Sequence, residues 1–241
     1  MLKKIGLIGD VHARDDRLAA ALEVLTDLDL DAILCTGDIM DGPGCPDRCI
    51  DLLKAHGVST VRGNHDRWVM QGKARHVPNA HHPEDLTEVS LNYLEQLPTQ
   101  LEFETTLGTL LLCHGVAQND LRKVWPGTER MPAERSSELD ALIANGRHQF
   151  VINGHMHFKI MIHFEQLTLI NAGTISGDLW PGFTTIDFDR GEVQAYRFED
   201  EKITACKLSS LASDGAHQVF RNTACFEGDW EPKLLFEREP H

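Results

Sequence analysis

Three short apolar runs open this chain, at residues 3–9, 31–36 and 58–61, and stretches with helical character separate them. Leu18, Leu22, Leu25 and Leu28 recur at helical spacing, which predicts an amphipathic helix packed back on the strands. A second helix is expected around 46–56. Strand, helix, strand, helix, strand demands crossover connections, so the chain begins as an α/β fold with a parallel sheet.

The alternation stops after residue 66. Residues 67–98 are polar, carry His76, His81, His82 and Pro83, and end in an expected helix at 86–96; they read as a candidate cap insertion. Residues 101–106 and 109–113 read as a hairpin about Leu107-Gly108. A helix is expected at 133–145, with Pro132 near its start and Gly146 at its end. Short strands follow at about 148–153, 159–164, 167–171, 182–188 and 192–198, so the second half is largely β. Beyond residue 200 the pattern weakens. Residues 1–200 are therefore read as one domain and 201–241 as a peripheral extension, anchored by Trp230 and Leu234-Leu235-Phe236.

Composition narrows the class. With 41% hydrophobic and 25% charged residues, the 241-residue chain has the make-up of a globular protein. It lacks the run of about 18 or more apolar residues that a transmembrane helix needs, and its start lacks a signal-peptide pattern, so a cytoplasmic location is expected. The net charge of −14 opposes binding to long nucleic acid, which rewards cations, and leaves a small phosphorylated substrate open, because bound metals invert the local field. The six cysteines are not expected to pair; Cys45 and Cys49 read as a loop leading into a helix.

Five polar clusters each follow a strand-like run: Asp10-Val11-His12, Gly37-Asp38-Ile39-Met40-Asp41, Gly63-Asn64-His65-Asp66, Cys113-His114-Gly115 and Gly154-His155-Met156-His157. Strand ends are where α/β folds build their sites. Asp10 and His12 lie two apart on an extended segment, so they project to one side and can grip one cation. Asp38 has two oxygens and can bridge two cations. Asn64 offers a neutral amide oxygen, and His114, His155 and His157 add imidazoles. Glycines at 9, 37, 63, 115 and 154 are read as giving the strand ends freedom to turn tightly. Two metals about 3.5–4 Å apart suit phosphoryl transfer, since they generate hydroxide near neutral pH and clamp phosphate oxygens. His65 can stand beside such a pair as general acid for the leaving oxygen. Asp41 is the first candidate, and Asp66 the second, for the carboxylate that orients it.

In this order the five clusters resemble the calcineurin-like metallophosphoesterase superfamily over roughly residues 5–190. The resemblance implies a four-layer α/β/β/α sandwich of two mixed sheets flanked by helices. It implies that Asp10, His12 and His157 bind a first metal, that Asp38 bridges, and that Asn64, His114 and His155 bind a second. His65 is then the acid, with Asp41 its partner. Two divalent ions are expected, from Mn, Fe, Zn, Co or Ni. The protein Ser/Thr phosphatase branch has Arg-Gly where this chain has Gly42-Pro43, which speaks against protein-phosphatase activity. Arg62 matches an arginine found in that branch and is the candidate for binding substrate phosphate. The expected function is a small-molecule or nucleotide phosphodiesterase or phosphatase using metal-bound hydroxide. The alternatives are a dinucleoside polyphosphate hydrolase and a non-catalytic interaction module that kept the fold, as the retromer subunit of this superfamily did. Trp125 with Pro126-Gly127 and Trp180 with Pro181-Gly182 are candidate pocket residues or turn anchors, and Asn171 to Thr174 is expected near the metals.

Overall fold

A computed structural model describes residues 1–73, 79–178, 180–199 and 202–236. The parallel start forms as the apolar runs require. β1 (Lys4–Ile8), β2 (Ala32–Cys35) and β3 (Ser59–Thr60) pair in parallel, and α1 (Asp15–Thr26) and α2 (Pro46–Ala55) are the crossovers. α1 buries Leu18, Ala21, Leu22 and Leu25, while Leu28 falls past its end and is exposed. α2 opens on Pro46, whose missing N–H costs nothing in a first turn, and turns Cys49, Ile50 and Leu53 inward. All six cysteines are free thiols.

The remaining elements are α3 (Asn64–Met70), α4 (Glu88–Gln96), β4 (Gln100–Thr105), β5 (Gly108–Cys113), α5 (Ser137–Asn145), β6 (Phe150–Asn153), β7 (Lys159–Phe164), β8 (Thr168–Ala172), β9 (Gly182–Asp187), β10 (Glu192–Glu199), β11 (Lys202–Ser210), β12 (Val219–Phe220) and β13 (Lys233–Leu234). They make two mixed sheets. One runs β11-β10-β9-β1-β2-β3 and the other β12-β7-β8-β6-β5-β4, with β13 also paired to β7.

Period-two alternation divides the core into layers. On β5, Leu110 and Leu112 face the space between the sheets, where they meet Ile5 and Leu7 of β1 and Ile186 of β9. Leu111 and Cys113 of the same strand face outward, toward Leu139 and Ile143 of α5. On the far side of the first sheet, Ile8 and Cys35 pack under α1 and α2. Helix, sheet, sheet, helix is thus the layer order. Truncating an inter-sheet side chain such as Leu112 to Ala should cost about 2–5 kcal/mol.

Three local readings differ from expectation. α5 starts at Ser137, not 133, because the Ser136 hydroxyl caps it by accepting from the Leu139 amide, and Glu134 is held in a bridge with Trp125. α3 escaped notice because its first turn is Asn64, His65 and Asp66, which carry no apolar period. The segment after residue 200 supplies strands to both sheets: β11 is the edge of the first, and β12 and β13 share the edge strand β7 of the second. His76 lies outside the described residues.

Candidate metal centre

Parallel strands end at one edge of a sheet, and this brings the clusters together. Asp10 lies just past β1, Asp38 past β2 and Asn64 past β3, while His114 follows β5 and the His155 cluster follows β6. The two sheets are stitched at that edge by the His155 amide, which donates to Asp10 Oδ2 (2.9 Å), while the Gly154 amide, donating to the His114 carbonyl (2.9 Å), ties the ends of β5 and β6 within the second sheet.

Two donor groups form, and Asp38 belongs to both. Asp10, His12, Asp38 and His157 present ligand atoms within 4.8 Å of one another, and so do Asp38, His114 and His155. Asn64 Oδ1 joins the second group, 3.0 Å from His114 Nε2. All seven expected ligands are therefore in one place. His12 Nδ1–H donates to the Met40 carbonyl (3.0 Å) and His114 Nδ1–H to the Thr36 carbonyl (2.8 Å), so each ring turns its Nε2 lone pair inward. Those inward atoms meet other ligand atoms. His114 Nε2 faces Asp38 Oδ2 at 3.2 Å as well as Asn64 Oδ1, and His12 Nε2 faces His157 Nε2 at 3.1 Å. Carboxylate and amide oxygens converging with imidazole nitrogens are a donor set that suits hard and borderline cations, so the residues fit a pair of divalent metals.

The electrostatics agree. Burial penalises the Asp38 carboxylate, but His114, His65 and His12 outweigh it and hold its pKa well below the usual range. Burial also works against a charged His114, yet Asp38 and Asp10 raise it to about 10; a proton there takes the role a cation would take. Asp10 is likewise lowered, with burial outweighed by His114 and His157. Burial and the neighbouring His114 push His155 down to about 4, which leaves its lone pair available near neutral pH.

His65 stands beside the two groups. Its Nδ1–H donates to Asp41 Oδ2 at 2.6 Å, and Nε2 lies 3.9 Å from Asp38 Oδ2. The ring packs on His12 and Trp68. Asp66, the second candidate for that role, does something else: its carboxylate accepts from the amides of Ile39, Met40 and Gly63 (2.8, 3.2 and 2.8 Å), which ties the Asp38 loop to the Asn64 loop. Burial and the nearby Asp38 raise Asp66 to about 6. Arg62 is half-buried, with Nε lacking a hydrogen-bond partner, and none of its described contacts reaches the two donor groups.

The backbone strain is not where the glycines suggested. His12, Asp38, Asp41, His155 and His157 all have positive φ, between 46° and 65°. That region is disfavoured for side-chain-bearing residues and is typical of functional sites whose surroundings over-determine them. Of the five glycines, only Gly37 is left-handed (φ 89°). The others are required for close approach: a Cβ at Gly63 would strike the Asp38 carboxylate, one at Gly154 would strike Asp10, and one at Gly9 would strike the Gly173 carbonyl.

Two supporting residues have roles the sequence did not assign: Thr36, not singled out there, and His81, read only as part of the candidate cap. The Thr36 hydroxyl donates to Asp10 Oδ1 (3.0 Å). His81 clamps Asp41 reciprocally, its amide donating to Asp41 Oδ1 (2.9 Å) and its Nδ1 accepting from the Asp41 amide (3.2 Å). The Asn171 to Thr174 segment lies at the centre as expected. The Asp10 amide donates to the Gly173 carbonyl, the Thr174 hydroxyl to the Asp10 carbonyl, and Asn171 Nδ2 to the Gly154 carbonyl.

Comparison with known proteins bears on the same stretch. A metallophosphoesterase from Sphaerobacter thermophilus has the same fold, with a TM-score of 0.60 and 22% identity over 83% of this chain and 89% of that one. Vacuolar protein sorting 29 from Cryptosporidium parvum has a TM-score of 0.55 and 18% identity over 87% and 98%. The uncharacterized protein MJ0912 of Methanocaldococcus jannaschii is 32% identical over 66 residues, 27% of each chain, so the match spans about a quarter of that relative. Among the described residues no helix is long and apolar enough to cross a membrane. The sequence profile of the calcineurin-like phosphoesterase superfamily domain matches residues 3–190, the span that holds every cluster and both sheets' central strands, and the chain belongs to that superfamily.

Proposed function

We propose that this protein is a binuclear-metal phosphoesterase acting on a small phosphorylated substrate. The observation that carries the reading is the pair of donor groups sharing Asp38, with the His65–Asp41 pair beside them. Asp10, His12 and His157 would hold one divalent ion, Asn64, His114 and His155 the other, and Asp38 both; oxygen plus imidazole donors suit Mn, Fe, Zn, Co or Ni. Bound there, two such ions supply Lewis acidity that activates water and offsets charge on phosphoryl oxygens. The protein's own groups do the rest. Asp41 accepts from His65 Nδ1–H and so fixes the ring's orientation, which leaves Nε2 to deliver a proton to the leaving oxygen. Arg62, directly ahead of Gly63-Asn64-His65, is assigned to substrate phosphate. The net charge of −14 supports a small substrate over long nucleic acid, and a cytoplasmic location is part of the same reading.

The test is a metal-supplemented hydrolysis screen on paired phosphomonoesters and phosphodiesters, with Asp38→Ala and His65→Ala as controls. Metal-dependent turnover that both controls lose supports the reading. A protein that binds two metals and hydrolyses nothing in a broad panel would instead be an interaction module on this fold.

A further inference from the structure

Beside the metal centre lies a cavity of about 730 Å³, within the usual range for small-ligand sites. Its walls are aromatic. Trp125 packs against Phe158 and edge-on against Trp230, with both pairs of ring centres 5.3 Å apart, and Trp180 stacks on Phe236 at 4.6 Å. These rings come from four distant segments of the chain. Two of those segments leave the metal centre directly. Phe158 follows His157, whose side chain is 47% exposed, and Trp180 sits on the loop between Thr174, bonded to Asp10, and Gly182, bonded back to Thr174.

The rim is acidic. Glu129, Asp229 and Glu231 line the cavity against one lining cation, Arg130, while buried Lys159 sets its Nζ over the Phe236 ring, 6.0 Å from the ring centre. Among the described residues, none of the three carboxylates makes an ion pair or a side-chain hydrogen bond. Aromatic faces carry negative potential and attract organic cations, and unpaired carboxylates add to that attraction. An anionic group would be repelled here, so the phosphate end of a substrate belongs at the metal centre and not in this cavity. A neutral nucleobase would gain stacking but nothing from the rim.

We infer that this cavity binds an alkylammonium group, quaternary or primary, and that it selects phosphate esters bearing such a cationic arm. The substrate part of the inference rests on the phosphoesterase reading; the binding part does not.

The test is binding of choline to the 241-residue protein without added metal, against its uncharged carbon isostere 3,3-dimethylbutan-1-ol and against adenosine, all by calorimetry. Tryptophan fluorescence is a second readout, since three of the four tryptophans (Trp125, Trp180 and Trp230, with Trp68 the fourth) line the cavity. Choline should bind saturably, and about 2- to 30-fold more tightly than the isostere. Trp180→Ala and Glu231→Gln alter exposed side chains and should each weaken choline about two- to tenfold with the fold unchanged by circular dichroism. Isostere binding equal to choline, adenosine binding tighter than choline, no saturable choline binding up to about 50 mM, or choline affinity unmoved by both variants would each overturn the inference. Choline binding by a protein that hydrolyses no phosphoester keeps the cation site and removes only the catalytic reading, so the two failures are distinguishable.

Discussion

Residues 10–157, which carry the five clusters, and residues 202–236, which follow them, attach to the same two sheets by different means. The cluster region is held by side chains. Asp10 takes the Thr36 hydroxyl and the His155 amide, Asp66 takes three amides, and five site residues among these loops sit at positive φ. The later region is held by backbone pairing, by buried rings such as Phe220, Phe226 and Trp230, by Thr223, which bonds Ser136 and Asp140, and by one buried lysine. β11 pairs with β10 along its length, and β12 and β13 each contribute two residues to the edge of β7. Lys233 Nζ then donates to His163 Nε2 (3.3 Å) and to the Ala212 carbonyl (3.1 Å), and lies 3.3 Å from Asp214. Chemistry dictates residue identity in the first region. In the second, strand pairing and apolar packing dominate, and few side chains are tied by hydrogen bonds.

The largest test of that contrast is Asp38→Ala. If one carboxylate unites both donor groups, its loss should lower hydrolysis by about 10³-fold or more and reduce tightly bound metal below two per chain, read by elemental analysis. A variant that keeps two metals and most of its rate would show that Asp38 does not bridge. His65→Ala should come next, at about 10²- to 10⁴-fold on poor leaving groups, with much less loss on p-nitrophenolate and with metal content unchanged. An equal loss on good and poor leaving groups would remove the general-acid role and leave His65 a positioning residue.

Most of this contrast was legible in the sequence on one side only. The clusters announced themselves because Asp, His and Asn recur after strand-like runs; crossover spacing gave the parallel start, while the α/β/β/α order came only with the family resemblance those clusters carry. Asp66 shows where that legibility stops. Its identity suggests chemistry, but it is spent on three backbone amides, and only the folded loops reveal that. The left-handed ligands were hidden too: Asp and His tolerate positive φ better than most residues, but nothing in their immediate sequence marks Asp38 or His157 as adopting it. The cavity was half legible, since Trp125 and Trp180 stood out next to Pro-Gly turns. Their meeting with Phe158, Trp230 and Phe236 depends on how the chain after β11 returns to β7, where no periodicity marks the path.

Asp66→Ala sharpens the comparison through stability. It strips three buried amides of their acceptor, at about 1–3 kcal/mol for each left unsatisfied, partly offset by removing a buried carboxylate from beside Asp38. A net loss on the order of 3 kcal/mol is expected in chemical denaturation, with metal affinity falling alongside because the loops of Asp38 and Asn64 part. A neutral effect on stability would mean that other contacts hold these loops.

The smallest effect belongs to the later region and depends on pH. Burial, followed by the adjacent Lys233, holds His163 down at about 4, and its Nε2 accepts from Lys233 in the neutral state. The folded pKa is below the unfolded value of 6.5, so the unfolded chain binds the proton first as pH falls. The stabilising contribution is therefore whole above about 6.5 and drains away between there and about 4. Its size is on the order of 2 kcal/mol. When His163 charges, two cations face each other across the β7 edge, and β12 and β13 should loosen before the metal centre does. Hydrogen exchange at pH 5 against pH 7 should show faster exchange at Phe220 and Leu234 than at Ile8 or Ile152. His163→Gln, which keeps an acceptor without the titration, should flatten that difference. If the cluster region instead loosens first on acidification, the side-chain ties of the centre are weaker than the edge pairing, and the order of the two regions is reversed.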